Sequence, residues 1–81
     1  MRILNGDEQT PLYSAQLYLT PEEALNFVHA LQELLRNPEA HEHEHVISSD
    51  GRDVSISIAT PTKLQDLKGY SPAEQRMFQE P

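Results

Sequence analysis

The sequence predicts an α+β fold: a four-stranded, mainly antiparallel sheet in ββαββ order, one long helix packed on one face, and a short C-terminal helix, all in a single domain over residues 1–81. Three observations lead there. A helical apolar repeat runs from Ala24 to Leu35, behind a strong start signal at Thr20-Pro21. Residues 12–19 and 53–60 alternate apolar and polar side chains with the period of a strand that buries one face. An Asp50-Gly51 step joins the second alternating segment to the one before it, as hairpin turns do.

Taken in order, residues 1–4 form a short edge strand and residues 5–11 the loop that follows. In residues 12–19, Tyr13, Ala15, Leu17 and Leu19 fall on one side, with Ser14, Gln16 and Tyr18 on the other. Thr20-Pro21-Glu22-Glu23 then opens the helix. Thr20 caps it, Pro21 suits the first helical position, Glu23 completes a capping box, and the two glutamates meet the positive end of the dipole. Asn37-Pro38 ends it, because a residue before proline is pushed out of the α region. Ala24, Phe27, Val28, Leu31, Leu34 and Leu35 share the inner face; Glu22, Asn26, His29 and Glu33 lie opposite, and Leu25 sits at the border.

Residues 41–48 form the third strand and 53–60 the fourth. A two-residue turn sets Ile47 opposite Val54, His45 opposite Ile56 and His43 opposite Ile58. A three-residue loop with a bulge at Gly51 reverses every face, turning Val46 inward with Glu44 and Glu42 behind it. The first register is favoured, since carboxylates cost more than imidazoles on a semi-apolar face. Thr60-Pro61 ends the strand, Leu64 and Leu67 anchor the connection, and Ser71-Pro72-Ala73-Glu74 caps a short helix over residues 72–79. Tyr70, Ala73, Met77 and Phe78 of that region dock on the sheet or on a partner. The expected core is Leu17, Leu19, Phe27, Val28, Leu31, Leu35, Val54, Ile56 and Ile58.

The formal charge of -7 repels phosphate backbones and argues against nucleic-acid binding. It attracts a basic protein partner, although acidity also serves solubility alone. There is no cysteine, hence no disulfide or thiolate site. No apolar run approaches the roughly 20 residues that span a bilayer. Met1 to Glu8 lacks the apolar region of a secretory signal, so a cytoplasmic protein is expected.

Chemistry centres on His41-Glu42-His43-Glu44-His45. On a strand the imidazoles line one face and the carboxylates the other. Cα atoms two residues apart lie roughly 6.5–7 Å from each other, so His43 and His45 can converge on one zinc ion with bonds of about 2.0 Å. Three histidines on a straight strand span too far, and His29 sits away from the helix's buried face, leaving the third ligand unidentified. No cofactor is therefore expected, with zinc as the alternative. Protonating all four histidines changes the formal charge from -7 to -3, a proton-sensitive surface if a basic partner binds there. No glycine-rich nucleophile elbow or phosphate loop is present, Ser55 and Ser57 face away from His43 and His45 in the favoured register, and an enzyme is not expected. One helix covers one face of a sheet. The other face, carrying Tyr18, Glu42, Glu44 and Val46, suits a protein interface or a homodimer unless the C-terminal helix folds over it.

The run Leu19-Thr20-Pro21-Glu22-Glu23-Ala24 through Leu34-Leu35, the Asn37-Pro38-Glu39 step into alternating histidines, and the hairpin into Ile56-Ser57-Ile58-Ala59 resemble a family of small, largely uncharacterised bacterial proteins. The resemblance covers residues 17–70. Some small α+β proteins of this style are thought to be immunity proteins, which neutralise a toxin by binding it. The resemblance therefore implies a non-enzymatic binder, transfers no site residues, and agrees with an acidic module that engages a basic partner or a second copy of itself.

Overall fold

The computed structural model describes residues 1–80; Pro81, the last residue of the expected domain, lies outside them. The fold is α+β, but the expected four-stranded sheet is replaced by two separate two-stranded antiparallel sheets accompanied by three α-helices. β1 (Ile3–Leu4) pairs with β2 (Pro11–Leu12), Ile3 opposite Leu12 and Leu4 opposite Pro11. Asn5 organises the loop between them. Its side-chain oxygen accepts the backbone N–H groups of Asp7 and Glu8, each at 2.9 Å, and its own N–H donates to the Thr10 carbonyl at 2.8 Å. The ladder then stops. Residues 13–19 form no strand, and Tyr13, Leu17, Tyr18 and Leu19 are exposed. Alternation fixes which side chains share a face; it does not supply an edge to pair with.

α1 (Pro21–Leu35) begins as expected, with Thr20 Oγ1 accepting the Glu23 N–H at 3.1 Å and Glu23 returning the bond to the Thr20 N–H at 2.9 Å. α1 rests mainly on β3 (Glu44–Ile47), which pairs with β4 (Asp53–Ile56). The register is the reverse of the favoured one: Val46 stands opposite Val54, Glu44 opposite Ile56 and His45 opposite Ser55. The loop is the cause. The Ser48 N–H donates to the Arg52 carbonyl at 2.9 Å and the Gly51 N–H to the Ser48 carbonyl at 3.0 Å, with Gly51 left-handed at φ 86°. That is a three-residue loop with a glycine bulge. The Ser48 hydroxyl donates to the Asp50 carboxylate, which holds Asp50 below the usual carboxylate range. Burying Val46 outweighs half-burying Glu44, whose carboxylate still reaches the rim of a groove.

The strands are also shorter than residues 41–48 and 53–60. Residues 39–41 are drawn away from the ladder toward α2 (Pro61–Leu64) and the 3-10 turn Leu67–Gly69. Thr60 Oγ1 donates to Glu39 at 2.8 Å, Lys63 Nζ donates to the Ala40 carbonyl at 3.1 Å, and the His41 ring meets Tyr70 edge-on at 6.1 Å. α3 (Pro72–Gln79) follows its own capping box and buries Met77. Phe78 stacks edge-on with Tyr70 at 4.9 Å, and the Glu80 carbonyl accepts from Arg2 at 2.8 Å, tying the chain's two ends together.

The core differs from expectation accordingly. Leu34, Val46 and Met77 are the buried apolar residues among those described. Phe27, Val54, Ile56 and Ile58 are half-buried, while Leu17, Leu19, Val28, Leu31 and Leu35 are exposed. Geometry explains the loss. The apolar arc of α1 from Ala30 round to Val28 subtends roughly 160° at 100° per residue, wider than the stripe one hairpin about 10 Å across can cover. Phe27, Ala30 and Leu34, the half-buried and buried residues of that arc, form one stripe, with Ala30 beside β3; Ala24, Val28, Leu31 and Leu35 form a second stripe beside them.

Candidate functional site

The β3–β4 hairpin presents two polar regions. On its outer face His43, His45, Asp53 and Ser55 are all exposed. The His43 and His45 rings lie 4.9 Å apart at 82°. His45 Nδ1 sits 3.0 and 3.2 Å from the two Asp53 oxygens, a diagonal cross-strand pair in which the carboxylate fixes the imidazole and leaves its Nε2 toward solvent. His41, by contrast, meets the Tyr70 ring, and His29 lies on α1, across a groove that His45 also lines. Among the described residues no group of three or more histidines and carboxylates could hold a metal ion.

The outer face also corrects the placement of the serines. Ser55 stands directly opposite His45. An Asp53–His45–Ser55 line suggests acyl-transfer chemistry in composition, but no hydrogen bond joins His45 to Ser55 among the described residues. A triad needs that bond.

The second region is an open groove of about 520 Å³ between the polar side of α1 and β3. Asn26, His29, Ala30 and Glu33 form one wall; Glu44, His45, Val46 and Ile47 form the other. Neither wall carries a lysine or arginine. Glu33 has one cationic neighbour, Arg36 at 3.4 Å, with both side chains largely in solvent, so the pair offsets little of its charge. Glu44 has none: half-buried on the hairpin's inner face, its carboxylate makes no hydrogen bond or ion pair among the described residues. Its oxygens reach solvent at the groove's rim, where they are open to a cationic group.

Of the surface residues expected to meet a partner, Glu44 is the one the fold brings into this groove with apolar neighbours. Val46, expected on the outer face, is instead buried beneath α1, and Glu42 is exposed near the hairpin's start. Tyr18 is exposed on the unpaired segment 13–19. Glu33 was legible only as part of the helix's polar face, and His29 as that and as a third ligand turned away from the histidine strand; what makes them part of a groove is the approach of β3. Comparison with known proteins returned no matching family model, no matching curated protein and no matching solved structure. No helix among the described residues is long and apolar enough to cross a membrane.

Proposed function

We propose that the protein is a small acidic binding module that captures a basic segment of a protein partner in the groove between α1 and β3. The observation that supports this reading is the carboxylate of Glu44, a half-buried residue with no ion-pair partner among those described, in a groove that offers Glu33 as a second acid and Ala30, Val46 and Ile47 as apolar walls. An arginine or lysine with an apolar neighbour matches those features, and the net charge of -7 steers such a partner inward. This is how an immunity-like protein would hold a basic toxin. A synthetic peptide alternating arginine and leucine serves as the probe in isothermal titration. Binding is expected at low salt, and Glu44→Gln weakens it by about tenfold, the worth of one charge-assisted hydrogen bond. Absence of binding at low salt, or equal affinity for Glu44→Gln, would refute the reading.

A second reading is favoured by the outer face. Two imidazoles on one tetrahedral ion have ring centres about 5 Å apart given bonds of about 2.0 Å, and His43 and His45 stand at 4.9 Å with Asp53 behind His45. The remaining ligands of a zinc-class ion would be water or a partner's groups. Added zinc is then expected to raise the melting temperature, with the rise abolished by chelator and by His43→Ala; a melting curve indifferent to zinc removes this reading.

A further inference from the structure

The second apolar stripe of α1 has an identifiable occupant. Val28, Leu31 and Leu35 are 47%, 39% and 59% exposed, and Leu25 on the stripe's flank is 52% exposed. With Ala24, which is half-buried, they follow a 4-3-4 spacing, the repeat of a helix–helix seam, over about 16 Å of helix. The molecule as a whole shows the same deficit. Its accessible surface is 6523 Å², roughly 1,600 Å² above the area of about 4,900 Å² expected for a folded monomer of its mass. Its radius of gyration is 13.4 Å, against about 11.7 Å for a compact domain of this length.

We infer that α1 pairs antiparallel with α1 of a second copy along Ala24, Val28, Leu31 and Leu35. The 4-3-4 spacing reads the same in either direction, so a two-fold axis places each seam residue against another. Ala24 then meets Leu35 of the second copy and Val28 meets Leu31. Each contact joins a smaller side chain to a larger one and fills the seam evenly. Parallel pairing would set Ala24 against Ala24, leaving a void at one end, and would bring two acidic first turns together. The antiparallel arrangement opposes the helix dipoles and lays the acidic turn of Glu22 and Glu23 toward the Arg36 end of the other copy. An ordinary interface removes about 800 Å² from each partner, which the excess surface exceeds. The seam lies on a different side of α1 from the groove. This inference therefore goes beyond the binding reading and stands or falls separately.

Sedimentation equilibrium is expected to return twice the 9.2 kDa of one chain. The double variant Val28→Glu with Leu31→Glu is expected to return a single chain with its helical circular dichroism retained. Orientation is read by disulfide trapping, which is clean because the chain has no cysteine. An oxidised mixture of Ala24→Cys and Leu35→Cys proteins should cross-link to each other, and neither should cross-link to itself; this arm holds even if the double glutamate variant fails to fold. A wild-type mass of one chain or of more than two, or self-cross-linking of the Ala24→Cys protein, overturns the proposal.

Discussion

Leu34→Ala is expected to lower stability by about 2–5 kcal/mol, the range for truncating a buried leucine. A domain of this length has a total margin of about 4–12 kcal/mol, so the variant is expected to be largely unfolded or to melt at a greatly reduced urea midpoint. Leu34 is 4% exposed and is the most buried of the three apolar core residues among those described. It lies on α1, which rests mainly on β3. Leu25→Ala is the discriminating control: its side chain is 52% exposed, and its loss is expected to cost less than about 1 kcal/mol. Equal effects from the two substitutions, measured by urea denaturation, would contradict the packing described.

The second large effect is expected at Thr60, where one hydroxyl serves two neighbours. It accepts the Lys63 N–H at 3.1 Å, capping α2, and donates to Glu39 at 2.8 Å, tying the α1–β3 connection to α2. Valine keeps the shape and removes both bonds. Losing a cap costs about 0.5–2 kcal/mol and losing a bond to a charged group about 1.5–3 kcal/mol, so Thr60→Val is expected to cost about 2–5 kcal/mol. Part of that arises because Thr60 is 8% exposed, leaving little water to replace the lost bonds. Thr60→Ser should cost less than about 1 kcal/mol, since it retains the hydroxyl. Chemical denaturation of both variants checks the difference.

Thr60 also shows where reading the sequence succeeds and stops. Thr60-Pro61 is visible as the end of a strand, yet its partner Glu39 lies 21 residues away, and nothing local connects them. The helices at Pro21–Leu35 and Pro72–Gln79 were legible because their caps lie within three residues of the groups they satisfy. Each of His41, His43 and His45 was conspicuous as a residue, but their roles diverge in the fold: one meets Tyr70, while the other two share an exposed face with Asp53. Glu44 was legible as a partner-facing carboxylate but was expected on the outer face; its place in the groove beside α1 depends on the register of β3 and β4.

By itself the sequence determined where α1 and α3 begin, where the chain turns at Gly51, and that the protein is strongly acidic, because caps, prolines, left-handed glycine and charge act over a few residues or none. Only the tertiary structure decided that the strands form two separate pairs, that Val46 rather than His45 faces inward, and that one of α1's two apolar stripes is left uncovered. Those outcomes follow from competition between distant segments for a limited area of apolar surface, and a hairpin about 10 Å wide covers one stripe of a helix and leaves the next uncovered.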